Sequence, residues 1–284
     1  MKLKLVGMLV CMLLIATMAI PISALNKEYD PNPPPISNDA DVPVWEVGDS
    51  WTYEMYFFQN GDENESYSFE LSGVVTFEVI DDAGDTYIVS GSTDDFEFVI
   101  HIGSIVLKPT RFMDLGMELK LRKSDLAFES WHQYTKGIYL PWLGPIPLPI
   151  PIQLEADQKT TLEPSWSIMP FPLSDGKTGT LDGVEFTDIG KTALYWGLLP
   201  IYDGEKSWDL PGLNYTCNEE QVTVPSGTYA AYNVSAEYED YENFISYYVE
   251  EIGNSVKELV HISFENHITY WHMELELIST TYEP

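Results

Sequence analysis

The chain has 284 residues, with 45 acidic against 14 basic side chains and a formal net charge of −31. That length supports one large or two small cores, and the charge excludes nucleic acid and anionic membrane surfaces as partners by repulsion. The acid excess reads either as the solubility of an exported protein, with repulsion screened by a salty medium, or as cation binding.

Lys2 and Lys4 precede an apolar run over 5–20, and Pro21 to Ala24 follow with small residues. This is the pattern of a signal peptide over 1–24, cleaved after Ala24. The apolar run is short for a membrane span of about 20 residues, so a retained anchor is the alternative. Either way the expected location is secreted, extracellular or at the cell surface. Cys11 lies inside the signal, which leaves Cys217 alone in the mature chain and rules out an intramolecular disulfide. A lone thiol of this kind packs as a small hydrophobe.

Residues 25–43 contain Pro31, Pro33, Pro34 and Pro35 among Asn and Asp and read as an extended linker. From Trp45 the pattern changes to alternation. Trp51, Tyr53, Met55 and Phe57 share one parity, which is the mark of a half-buried strand. Strands follow over 67–80 and 87–91, split by the turn Asp81-Asp82-Ala83-Gly84-Asp85, and Phe96, Phe98, Ile100 and Ile102 alternate again. Met113, Leu115, Met117, Leu119 and Leu121 repeat every second residue, so 113–122 is a strand despite its helix-forming side chains. One or two short helices are expected within 124–134.

Residues 140–154 read LPWLGPIPLPIPIQL, with five prolines and no lysine or arginine. Proline breaks helices and is excluded from central strands, so this stretch is expected outside the sheet, as a buried crossover loop or as a lid over an apolar ligand. The six residues assigned to that lid or groove are Trp142, Leu143, Ile146, Leu148, Ile150 and Ile152. After it come apolar residues over 166–173, a turn over 174–179, with 168–178 faintly echoing the opening segment, and short strands with glycine turns over 182–208. The clearest region is 221–260. Val222 and Val224 stop at Pro225-Ser226-Gly227, a turn in which proline pre-sets φ and glycine accepts positive φ. Three strands follow over 230–238, 244–249 and 256–264, the last with Val256, Glu258, Val260, Ile262 and Phe264 on one face. A closing strand carries Thr269, Trp271, Met273, Leu275 and Leu277 in register.

The resulting fold class is mainly β: an antiparallel curved sheet, half-barrel or barrel-like, in two similar halves with few short helices. The division is 1–24 signal, 25–43 linker, 44–139 N-terminal β half, 140–170 apolar proline-rich lid or crossover, and 171–284 C-terminal β half.

Several motifs carry a resemblance. The turn Val222-Thr223-Val224-Pro225-Ser226-Gly227-Thr228, then Tyr229 and 231–234, Tyr247-Tyr248, and Ile252-Gly253-Asn254-Ser255-Val256-Lys257 are joined by the opening Val47-Gly48-Asp49-Ser50-Trp51-Thr52-Tyr53. Together they resemble exported bacterial and archaeal β-rich domains of unknown function in the lipoprotein-carrier half-barrel group. The resemblance covers the start and the last quarter of the chain. It implies an exported half-barrel with a lipid-like or other hydrophobic ligand, and transfers no catalytic residue.

The sequence lacks G-x-S-x-G, H-E-x-x-H, phosphate-loop and dinucleotide motifs. His261, His267 and His272 are the histidines that a zinc site would draw on. Asp62, Asn64, Asp81, Asp82 and Asp85 are the oxygen ligands for a calcium loop, without EF-hand spacing. No cofactor is assigned. The sequons at Asn64, Asn214 and Asn233 are glycosylation positions on wet faces. The functional expectation is a secreted non-enzymatic module that binds a hydrophobic or lipid-like molecule, or a cell-surface component. A structural or adhesive domain without a small ligand and a hydrolase with an unrecognised site are the alternatives.

Overall fold

The computed structural model describes residues 39–60, 67–93, 96–102, 105–143, 146–147, 151–194, 199–238, 241–264 and 269–284. Within them sixteen strands form one antiparallel sheet. The strands are β1 (Ser50–Asn60), β2 (Tyr67–Ala83), β3 (Thr86–Ser92), β4 (Phe96–Ile102), β5 (Ile105–Arg122), β6 (Phe128–Leu143), β7 (Ile146–Pro147) and β8 (Ile152–Trp166), followed by β9 (Thr178–Leu181), β10 (Val184–Leu194), β11 (Leu199–Leu210), β12 (Leu213–Val224), β13 (Gly227–Tyr238), β14 (Tyr241–Val249), β15 (Asn254–Phe264) and β16 (Thr269–Thr280). Their spatial order is β11-β10-β8-β6-β5-β3-β2-β1-β16-β15-β14-β13-β12-β9, with β4 added against β2 and β5 and β7 against β6. The first and last strands are therefore neighbours in mid-sheet, Met55 opposite Leu275 and Phe57 opposite Met273.

Alternation explains the core. Trp51, Tyr53, Met55 and Phe57 of β1 are buried, as are Leu71, Val75 and Val79 of β2, Leu119 and Leu121 of β5, and Leu275 and Leu277 of β16. Exposed Glu54 and Glu78 sit on the opposite parity. The period-two reading of 113–122 matches β5. Near the tip of the β12–β13 hairpin Tyr229 and Ala231 are buried with Val222, Val224 and Ile252, and beyond Ala231 the buried positions of β13 switch to Tyr232, Val234 and Ala236.

The ends of the sheet meet without pairing. Asp182 and Gly183 alone join β9 to β10, and Pro211 and Gly212 alone join β11 to β12, so two short connections cross the seam. They touch each other: a Cβ on Gly212 would stand 2.9 Å from the Leu181 carbonyl oxygen, and one on Gly183 3.0 Å from that of Leu210. Only glycine allows this approach. A separate apolar cluster bridges the seam, Leu162 and Phe186 from one end against Leu213 and Tyr215 from the other. Among the described residues no ladder links β9 to β10 or β11, so the barrel-like sheet stays open.

Three expectations are corrected. The helices expected within 124–134 are absent; that segment is a turn and the start of β6, and the helical element among the described residues is a single 3-10 turn at Glu250–Ile252. Residues 140–143, 146–147 and 152–154 of the proline-rich stretch lie in strands rather than outside the sheet, and 144–145 and 148–150 lie outside the described residues. β6 runs on to Leu143, β7 folds back on it with Leu143 opposite Ile146, and β8 begins at Ile152 opposite Tyr139. Pro141 pairs with Leu107 of β5 and lies past the point where the β6–β8 ladder starts, which is the edge-like setting that tolerates proline. Finally, the end of the expected linker belongs to the fold: Ala40 is fully buried and bridges to Leu173 through two 2.8 Å backbone hydrogen bonds.

That bridge belongs to a covering segment. Residues 167–177, with Ala40 beneath them, strap the β12–β14 end of the sheet. Met169 and Leu173 are buried there with Cys217, Tyr232, Val234 and Tyr248. Phe171 meets Tyr248 edge-on at 5.1 Å, and the Lys177 ammonium ties the strap by donating to the carbonyls of Pro170 and Pro172.

Candidate functional site

The opening segment and the Ile252–Lys257 segment lie some two hundred residues apart in sequence yet form one unit. The Trp51 indole donates to the Ile252 carbonyl, the Trp45 indole to that of Gly253 and the Tyr53 hydroxyl to that of Ser255, each at 2.8 Å. The 3-10 turn that presents these carbonyls ends on Gly253 at φ 64°, a left-handed conformation that suits glycine. Trp45 also packs on Trp51 at 4.8 Å and on Tyr87 at 5.3 Å. Trp45, Trp51 and Tyr53 thus form a packing joint in which each of the three polar handles is satisfied by backbone.

Beside the joint lies a cavity of about 110 Å³, walled by Trp45, Trp51, Tyr53, Phe77, Val89, Leu119, Leu121, Phe128 and Leu275. Its polar groups are the Glu258 carboxyl and the Asn254 amide. Glu258 shares the parity of the fully buried Val256, so β15 aims it inward. Ser246 donates to it at 3.5 Å, Ser255 also supports it, and the two serine hydroxyls lie 2.6 Å apart. Burial raises the Glu258 pKa above the ordinary carboxyl value, against the pull of those two hydroxyls. Burial also raises the Tyr53 phenol well above its usual value, and the Glu258 charge adds to this.

A larger concavity, about 770 Å³, lies on the outer face of β5, β6, β8, β10 and β11. Glu118, Lys120, His132, Asp157, Lys159, Lys191, Asp203 and Glu205 line it. His132 pairs with Asp157 at 2.9 Å, and Lys120 pairs with Glu129 at 2.8 Å beside it. The setting follows from an uneven charge distribution. Residues 28–107 contain 18 acidic side chains and no lysine or arginine; 108–206 contain 10 basic and 13 acidic; 207–284 contain Lys257 alone against 14 acids. Cations are concentrated on one wing of the sheet, and this is visible in the sequence once charges are counted by segment rather than over the whole chain.

No family model and no curated protein matches the chain. Among solved structures it is similar to a β-barrel-like protein of the domain of unknown function DUF1849 from Brucella abortus, at 13% identity over 84% of this chain and 98% of that chain, with a TM-score of 0.25. At that score the likeness carries no argument, and the barrel-like description rests on this chain's own ladders.

Four of the six residues assigned to the lid or groove are described. Trp142 is half-buried and pairs with Val106 and Pro147; Leu143 pairs with Ile105 and Ile146; Ile146 is 63% exposed; Ile152 is half-buried against the main core. Leu148 and Ile150 lie outside the described residues, as do Asp62, Asn64 and His267. His261 and His272 are cross-strand partners with rings 5.3 Å apart, and among the described residues no three His, Cys, Asp or Glu side chains gather as a metal site would require. Of the calcium candidates, Asp82 is taken up by an ion pair with Lys123. Asn214 is exposed, whereas Asn233 is half-buried and donates its amide to Glu220 at 2.7 Å. Cys217 is fully buried under the strap, and burial raises its thiol pKa.

Proposed function

We propose that the protein is a non-enzymatic, exported β-domain that works through its outer surface as a cell-surface or extracellular recognition component. The observation that carries this reading is the distribution of space. Pockets that accept drug-sized ligands run to about 300–1,000 Å³. Among the described residues two concavities reach that size, about 770 Å³ on the charged outer wing and about 420 Å³ beside Tyr229, Ile252, Leu277 and Tyr282, while the void beside the aromatic joint is about 110 Å³. An acyl chain has no room in that void. Export is supported by the signal pattern over 1–24, and the acid-rich remainder of the surface suits a soluble extracellular domain.

A second reading, the carriage of a lipid-like molecule, is favoured by one observation. Ile146 is exposed and Trp142 half-buried at the β6–β7 tip, which leaves apolar surface at one end of the sheet. Mass spectrometry of organic extracts from protein purified out of its native host separates the two. The surface reading expects no stoichiometric lipid, and one lipid per chain would overturn it in favour of the carrier. N-terminal sequencing of the exported product is expected to begin at Leu25.

A further inference from the structure

The carboxyl of Glu258 faces a small cavity whose walls are aromatic and aliphatic. Glu258 is half-buried, Ser246 and Ser255 stand against its carboxyl, and it lines the cavity. Its companions are two serine hydroxyls and the Asn254 amide, whose oxygen is already engaged by the Ser255 backbone N–H at 2.8 Å. Among the described residues no lysine, arginine or histidine forms an ion pair with it. The nearby Lys257 is held on the opposite face of β15 by Glu274 and Glu276. A buried carboxylate without a cationic partner is costly, so the group must take either a proton or a positively charged guest.

The walls favour the guest. Tyr53 and Phe77 meet at 6.0 Å and 72°, forming a corner, and Trp45 and Trp51 tilt against each other by 49° nearby. Aromatic faces attract cations, most strongly when the site is desolvated, and boxes of this kind recognise alkylated ammonium groups. Inorganic metal ions fit poorly, because calcium needs six to eight oxygen ligands and only one carboxylate is present. At about 110 Å³ the space is somewhat smaller than the roughly 150 Å³ engineered cavity that admits benzene. It therefore suits a guest of roughly four or five non-hydrogen atoms. We propose that the cavity formed by Trp45, Trp51, Tyr53, Phe77, Asn254 and Glu258 is a binding site for a small alkylammonium cation, with Glu258 as its counter-ion.

Isothermal titration of the mature chain with tetramethylammonium chloride, at constant ionic strength held with sodium chloride, tests the proposal. Neopentyl alcohol, a neutral molecule of similar shape, and the variants Glu258→Gln and Glu54→Gln serve as comparisons. The expected result is saturable one-to-one binding of tetramethylammonium, at least tenfold weaker in Glu258→Gln, unchanged in Glu54→Gln on the outer face, and not reproduced by the alcohol. Absence of saturable binding to the wild-type chain, equal binding by Glu258→Gln, or equal binding of the alcohol would each overturn it. The first and last of these need no variant to fold. The experiment is independent of the lipid measurement above, so either reading can fail alone.

Discussion

Substituting Trp51 by phenylalanine probes the joint between the opening segment and the 3-10 turn. The Trp51 side chain is fully buried and its indole N–H donates to the Ile252 carbonyl at 2.8 Å. Phenylalanine keeps a ring but removes the donor, leaving a buried carbonyl unsatisfied at about 1–3 kcal/mol. It also gives up roughly 40 Å² of buried apolar surface, about 1 kcal/mol at ~25 cal/mol/Å². Together the loss is about 2–4 kcal/mol, a large part of the ~5–15 kcal/mol that holds a typical domain folded. Urea unfolding followed by far-ultraviolet circular dichroism measures it directly. Trp45→Phe removes the companion bond to Gly253, and because the two indoles touch, the double variant should lose less than the sum by about 0.5 kcal/mol or more. A Trp51→Phe loss under about 0.5 kcal/mol, or strict additivity with Trp45→Phe, would refute the claim that this joint is one cooperative unit.

Glu258→Gln should make stability less dependent on pH. The wild-type carboxyl titrates higher in the folded chain than in the unfolded one, so the folded state holds more protons and stability falls as pH rises from the ordinary glutamate range through the folded value. Each unit of difference is worth about 1.4 kcal/mol above both values. Urea midpoints should therefore show the variant gaining on wild type as pH rises from the ordinary glutamate range, and a constant gap would contradict the raised value. Gly212→Ala forces a methyl against the Leu181 carbonyl at 2.9 Å; a cost of about 1–3 kcal/mol should appear as a Tm lowered by about 2–4 °C per kcal/mol, and an unchanged Tm would mean the seam yields. Glycosylation of the folded chain should favour exposed Asn214 over Asn233, whose amide is engaged by Glu220; glycopeptide mass spectrometry with the reverse occupancy would count against the assigned exposure.

The strands were legible because side-chain parity is a direct consequence of the pleat. Trp51, Tyr53, Met55 and Phe57 announce a buried face with no knowledge of the partners. What parity cannot supply is the identity of the neighbour: nothing in β1 says that β16 lies beside it. The proline-rich stretch misleads because proline is judged by its missing donor. That donor matters only on the side where another strand pairs, and Pro141 lies past the last rung between β6 and β8. The strap over 167–177 has no period at all, so its burial depends on Ala40, Cys217 and Tyr248, which are remote in sequence. Glu258 stood in the apolar row of β15 from the start, but only the depth of the surrounding aromatics turns that position into a chemical question.

The adjacency of β1 and β16 also bears on the order of events in the chain's life. Trp51 finds its partner Thr280 only after the final strand has been made, so an N-terminal portion still attached to the ribosome has an unfinished margin. Ladders this remote in sequence form slowly. Until β16 has been made, β1 keeps one lateral edge without its partner, and that edge is the margin most open to pairing with another chain.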